Sequence, residues 1–206
     1  MNNFSVLLGP DFAGKSAVLT ALSRRDAGWD CVSVDPDLLA PRHAAIAGLR
    51  RLFVEDVLTA APGTFTPELH LSLMQCAVVH LRDQVMNSRS SRIIVDSYYY
   101  KILAKCLLAG LGGHPVLEWW RTFPRPQRAV FLEVTPASAW ERAERGAALN
   151  PTEHGPTAGE IRFTAFQAYQ EALTTAMKRE LAGVPTVVIG QSRTVGETVD
   201  AVLEAL

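Results

Sequence analysis

Eight consecutive residues near the start, Gly9-Pro10-Asp11-Phe12-Ala13-Gly14-Lys15-Ser16, form a complete G-x-x-x-x-G-K-S phosphate loop. The chemistry of such a loop is anion cradling. Its two glycines let backbone N–H groups turn inward, so those of Asp11, Phe12, Ala13, Gly14, Lys15, Ser16 and Ala17 are expected around phosphate oxygens. Lys15 places a point charge at the β- and γ-phosphates, and Ser16 offers its hydroxyl to Mg²⁺. A second oxygen for the metal is available at Asp96, which the apolar run Ile93-Ile94-Val95 delivers to the edge where open α/β sheets bind ligands. The alternative for Asp96 is to cap a helix. Asp35 and Asp37 flank Pro36 after another short apolar run. Carboxylates so placed either face the phosphate chemistry at the sheet's carboxyl edge or cap the following helix.

Phosphate chemistry of this kind needs a strand before the loop and a helix after it. Phe4-Ser5-Val6-Leu7-Leu8 is strand-like, and a helix opens at Lys15 with its positive end toward the anion. Cys31 to Val34 reads as a second strand ending at Asp35. Helical segments follow, divided by Pro62-Gly63, and Thr66-Pro67 is an N-cap with proline at the first helical position. Met74, Val78, Leu81 and Val85 then recur at helical spacing. Arg92 to Val95 is the third strand, Tyr98 to Leu111 a helix, Pro115 to Thr122 another, and Arg128 to Val134 the fourth strand. Pro136 to Arg145 is helical. The pattern breaks over residues 146–159, whose three glycines and two prolines predict a loop or lid. Phe166, Tyr169, Leu173 and Met177 mark a long helix, Thr186 to Ile189 a fifth strand, and Val195 to Leu206 a closing helix. Strands alternating with helices predict a three-layer α/β fold, a five-stranded parallel sheet with helices on both faces and a lid.

Length and charge set further bounds. At 206 residues and 48% hydrophobic, the chain suits one domain spanning 1–206. Twenty basic and 21 acidic residues leave a formal charge of −1, which argues against a surface that tracks nucleic acid. The start lacks a signal peptide pattern and no apolar run is long enough for a bilayer, so a cytoplasmic protein without membrane contact is expected. Cys31, Cys76 and Cys106 are odd in number and unclustered, which predicts reduced core thiols. Trp119 and Trp120 cannot face one way on a helix, so one is expected in the core and the other partly exposed. Tyr98, Tyr99 and Tyr100 either stack on a substrate ring or pack in the core.

The order of these pieces resembles the thymidylate kinase family and the wider group of nucleoside and nucleotide kinases. The resemblance runs through the loop, Asp35-Pro36, residues 66–80 as the acceptor-side helix, Asp96-Ser97-Tyr98, residues 130–136, Trp140-Glu141-Arg142 and the lid. It implies a phosphate-loop kinase fold, ATP and Mg²⁺ as cofactors, a small-molecule acceptor and a homodimer. Arg142 matches the arginine of the family's helix before the lid, which implies that it binds the nucleotide and stabilises the transferring phosphoryl group; Arg145 and Arg162 are its rivals. Asp35 stands where similar nucleoside kinases carry the carboxylate of a Glu-Pro pair that takes the acceptor's proton, and Asp37 where a similar Asp-x-Asp of shikimate kinases binds an acceptor hydroxyl.

The departures are as informative. Thymidylate kinases hold the acceptor's phosphate with arginines at three places where this chain has Val34, Cys76 and Ser97. Their loss removes the charge-assisted bonds that a dianion needs. The expected acceptor is therefore a hydroxyl on a nucleoside-like or other small neutral molecule, with Asp37, Cys76, Ser97 and Tyr98 lining its site. One alternative is a monophosphate kinase that uses Arg42, Arg50 or Arg51 instead. The phosphate loop's variable positions bring no lysine or arginine, and none lies between Arg145 and Arg162, so a nucleotide-binding protein without turnover is a further alternative. A GTPase-like switch is disfavoured, because Asp96 is not followed by glycine and no Asn-Lys-x-Asp motif occurs.

Overall fold

Side chains along a strand alternate between two faces, and the short apolar strands of this chain sort accordingly. The structure, a computed structural model, describes residues 3–154 and 162–206. Its strands are β1 (Ser5–Leu8), β2 (Asp30–Val32), β3 (Ile93–Asp96), β4 (Arg128–Leu132) and β5 (Thr186–Ile189). Its helices are α1 (Lys15–Arg25), α2 (Ala44–Arg51), α3 (Pro67–Asn87), α4 (Tyr100–Leu108), α5 (Pro115–Arg121), α6 (Pro136–Arg142), α7 (Phe163–Glu180) and α8 (Val195–Ala205). The strands form one parallel sheet in the order β2-β3-β1-β4-β5.

Val6, Leu8, Ile93, Val95, Ala129 and Phe131 point to one face, where they pack with α3, α4, α5 and α7. Leu7, Ile94, Val130 and Leu132 point to the other and meet Val18, Leu19 and Leu22 of α1 with Val199 and Val202 of α8. This gives the expected three layers. The expected five parallel strands are all present. The Thr66 hydroxyl accepts the Leu69 N–H at 3.2 Å, capping α3 ahead of Pro67. Trp120 is buried and Trp119 exposed, as the helical period required.

Several boundaries move for identifiable reasons. β2 stops at Val32 rather than Val34, because the Ser33 hydroxyl accepts the Asp35 N–H and turns the chain. α4 begins at Tyr100 rather than Tyr98, since Ser97 and Tyr98 adopt left-handed φ values of 57° and 46°. α6 ends at Arg142, and Glu144 and Arg145 are left-handed as well. Of the predicted lid, residues 147–154 form turns, whereas 155–159 lie outside the described residues.

Candidate active site at the carboxyl ends of β1 and β3

Gly9 follows β1 and must be a glycine: a Cβ there would stand 2.6 Å from the Leu132 carbonyl oxygen at the end of β4. Gly14 caps α1 at φ 89°, in the left-handed region that suits glycine. Phe12 shares that conformation at φ 60°, a strained position that leaves its carbonyl accepting from Arg142 Nη1 at 2.9 Å. Arg142, on the last turn of α6, thus holds the phosphate loop at Phe12. Inside the loop, Lys15 Nζ donates to the Gly9 and Pro10 carbonyls at 3.1 and 3.0 Å.

A cleft of about 330 Å³ opens in front of the loop, lined by the loop from Asp11 to Ala17 together with Asp35, Asp96, Ser97 and Lys101. Asp96 is aligned with Leu7 of β1 in the sheet. Its two carboxylate oxygens accept from the Ser33 hydroxyl at 3.1 Å and the Ser97 hydroxyl at 2.9 Å. Ser16 stands exposed at the same cleft. A hydroxyl and a carboxylate are hard oxygen donors of the kind Mg²⁺ selects. Among the described residues no group of three or more His, Cys, Asp or Glu could hold a metal unaided, so Ser16 and Asp96 fit an ion that also takes phosphate and water oxygens.

Asp35 lies three residues beyond β2 and lines the cleft. It also ties the chain into a turn, its carbonyl accepting the Leu38 and Leu39 N–H groups, both at 3.0 Å, and Oδ1 the Asp37 N–H at 3.2 Å; it caps no helix, since the helical segment that follows opens at Pro41 with Ala40 as its N-cap. Asp37 itself is exposed and lines neither this cleft nor the neighbouring pocket.

The strongest electrostatic feature was not anticipated. Asp11, 3% exposed, lies between two lysines of α4, with Lys101 Nζ at 2.5 Å and Lys105 Nζ at 3.2 Å. Gln170 of α7 closes the group by accepting the Asp11 N–H at 3.0 Å and donating to its carboxylate at 3.3 Å. Burial pushes the Asp11 carboxyl up, but Lys101 and Lys105 together hold it well below the usual carboxylate range. Burial, with repulsion from Lys101, brings the Lys15 ammonium down to about 7 against the pull of Asp96 and Asp11. Burial also lowers Lys105, whereas Asp11 overcomes burial at Lys101 and keeps it protonated. Lys101 and Lys105 stand four apart on α4 and share a face, but nothing in that spacing points to Asp11.

A second pocket of about 220 Å³ adjoins the cleft, the two sharing Asp11, Val34, Arg50, Lys101 and Glu153. Its walls are mostly apolar and include Ile46, Leu49, Phe53, Met74 and Cys76. Val34 and Cys76 line it and Ser97 lines the cleft, so all three uncharged replacements face the joined cavity. Cys76 is half-buried there rather than a core thiol, Cys31 is half-buried too, Cys106 alone of the three is buried, and all three are free. Arg50 reaches both cavities, Arg42 lines a different groove, and Arg51 is exposed and lines neither cavity.

Tyr98 requires a correction. It is 0% exposed and packs edge-on against Phe4, because the left-handed turn at Ser97–Tyr98 swings the ring into the core. Tyr99 and Tyr100 are buried with it, so no member of the run offers a ring to a ligand. Thr152 and Glu153, in the segment expected to be a lid, dock on α4 and α7: Lys105 Nζ donates to the Thr152 hydroxyl at 3.4 Å, the Tyr169 hydroxyl to the Thr152 carbonyl at 3.0 Å, and Gln170 Nε2 to the Glu153 carbonyl at 2.9 Å. Arg145 is exposed and paired with Glu141, and Arg162 is exposed at the start of α7.

No family model matches this chain, and no curated protein matches it either. Solved structures do. A thymidylate kinase from Candida albicans superposes with a TM-score of 0.63 at 14% identity, covering 98% of this chain and 90% of that one. Deoxyadenosine kinase from M. mycoides with bound dATP gives 0.60 at 14% identity over 98% and 97% of the two chains. The same enzyme with dCMP and dCDP gives 0.60 at 12% identity over the same shares. The likeness is one of fold and runs the length of the chain.

Proposed function

We propose that this chain, which has the fold of nucleoside and nucleotide phosphate-loop kinases, transfers the γ-phosphoryl group of ATP to a hydroxyl of a nucleoside-like or other small neutral metabolite. The observation that carries this reading is the joined cavity: the phosphate loop, Ser16, Asp96 and Asp35 line one part, and a mostly apolar pocket opens from it. The loop's N–H groups and Lys15 would hold the phosphates, as the N-terminal end of α1 favours anions. Mg²⁺, when bound through Ser16 and Asp96, neutralises charge on the phosphate oxygens. Asp35 would accept the proton of the acceptor hydroxyl as its oxygen bonds to the γ-phosphorus and the bond to the bridging oxygen breaks, leaving ADP. Arg142, by holding the Phe12 carbonyl, would keep the loop in shape. Residues 146–159 would act as the lid that excludes water, an arrangement supported by the docking of Thr152 and Glu153 on α4 and α7.

A monophosphate acceptor is the second reading, favoured by Arg50 and Lys105 in the acceptor pocket. The test is a thermal-shift screen of nucleosides, nucleotides and hydroxylated metabolites with Mg²⁺ and an ATP analogue, followed by ADP-release assays on the ligands that raise the melting temperature. Neutral alcohols that bind and turn over support the first reading, and turnover of monophosphates alone supports the second. ATP binding without turnover of any acceptor would show a nucleotide-binding protein.

A further inference from the structure

We infer that Lys101 of α4 is the second cation of the phosphate site, leaving Asp11 in part to hold the γ-phosphoryl group of the bound triphosphate; the inference rests on the kinase reading above. Neither the phosphate loop's variable positions nor the stretch between Arg145 and Arg162 provides a cation for that group. Lys101 supplies one from a different element. It lines the cleft beside Lys15, Ser16 and Asp96 and also borders the acceptor pocket, so it stands where donor and acceptor must meet.

Its surroundings are those of a cation arranged for an anion. The Lys101 and Lys105 side chains keep only 15% and 13% exposure, and both lean on the single Asp11 carboxylate. Lys101 also faces Lys15 closely enough to repel its charge. Three ammonium groups, those of Lys15, Lys101 and Lys105, converge on the cavity, and the one nearly enclosed carboxylate among them, Asp11, is shared by two. A phosphoryl group between Lys15 and Lys101 would relieve the repulsion and gain charge-assisted hydrogen bonds from both. Lys105 is left to Asp11 and to Thr152, which preserves the tie between α4, the phosphate loop and the lid.

Calorimetric binding of the β,γ-imido analogue of ATP and of ADP, each with Mg²⁺, separates this role from a structural one. Lys101→Met should weaken the triphosphate analogue about 10- to 100-fold, the size of a lost hydrogen bond between charged groups, and change ADP affinity little. Lys101→Arg should recover most of the loss. If Lys101→Met does not fold, Lys101→Gln, which keeps an N–H donor for Asp11, carries the same comparison. Equal losses for both nucleotides, or none for either, would overturn the assignment while leaving nucleotide binding intact. Wild-type protein that binds neither nucleotide would overturn the kinase reading and this inference together.

Discussion

Replacing Asp11 by asparagine keeps the side chain's shape and deletes its charge, which isolates what the buried carboxylate contributes. In the native protein it faces Lys101 at 2.5 Å and Lys105 at 3.2 Å. The variant would leave both ammonium groups in a shared, nearly enclosed site beside Lys15. Removing one partner of a buried ion pair typically costs 3–5 kcal/mol. Because the two lysines retain 15% and 13% exposure, water relieves part of the penalty, and the lower end, about 3 kcal/mol, applies. For a chain of this size that lowers Tm by roughly 6–12 °C.

The assay is thermal and urea unfolding in chloride buffer free of phosphate, since an oxyanion in the cleft would supply the missing charge. The cost should depend on pH. Asp11 is held below its ordinary value of 3.8, so its contribution is complete above about pH 4, where the unfolded carboxylate is ionised, and is lost as pH falls toward the folded value. The gap between wild type and Asp11→Asn should therefore be full at pH 7 and close on acidification below about pH 4. Adding Lys101→Met to Asp11→Asn should restore stability, because the second change removes a charge the first one orphaned. A variant that melts within about 2 °C of wild type at pH 7 would refute the reasoning, given the expected shift. So would a double variant that loses the full cost of each single change.

Lys15→Ala should abolish turnover with the best acceptor while circular dichroism remains native; near-normal turnover would remove the phosphate loop from the mechanism. Asp35→Asn should lower kcat by about 10²–10⁴, the usual range for a general base, with little change in ATP affinity. Asp37→Asn, exposed and outside the cavity, should leave kcat near wild type, and the reverse ranking in steady-state kinetics would move the base to Asp37. Cys76→Arg combined with Ser97→Arg should shift binding preference from a neutral acceptor toward its monophosphate, read by competition between matched pairs; unchanged preference would mean those positions do not meet the acceptor.

The parts of the site that are local in sequence were readable, and the parts made by distant residues were not. The phosphate loop is a contiguous run whose glycines answer to backbone geometry, so the places of Gly9 and Gly14 follow from the sequence alone. Strand and helix order followed from periodicity, and the one-in, one-out placement of Trp119 and Trp120 followed from the helical turn. The Asp11–Lys105 contact joins residues 94 apart in the chain, and no local pattern announces it. Gln170, 159 residues from Asp11, is further out of reach. Tyr98 failed for another reason. Two consecutive left-handed residues, Ser97 and Tyr98, break the helical phase, and non-glycine residues give no sequence signal for such a turn.

On the proposed kinase reading, the charge balance of the joined cavity bears directly on which acceptor would suit it. Lys15, Arg50, Lys101 and Lys105 are matched there by Asp11, Asp35, Asp96 and Glu153. Were Arg50 and Lys105 free to receive a second phosphate, the absence of arginine at Val34, Cys76 and Ser97 would matter little. Lys105, however, is committed to Asp11 and Thr152, and Arg50 shares its pocket with Glu153 and Asp11. A dianionic acceptor would bring its charge beside those carboxylates with Arg50 the one cation of the cavity left without a hydrogen-bond or ion-pair partner among the described residues, and an imperfectly paired buried charge costs several kcal/mol. A neutral alcohol brings no such charge, and the apolar walls formed by Ile46, Leu49, Phe53 and Met74 favour it through burial of its own apolar surface. The same balance makes Asp35 useful, because a neutral hydroxyl, unlike a phosphate oxygen, becomes a nucleophile only as its proton leaves.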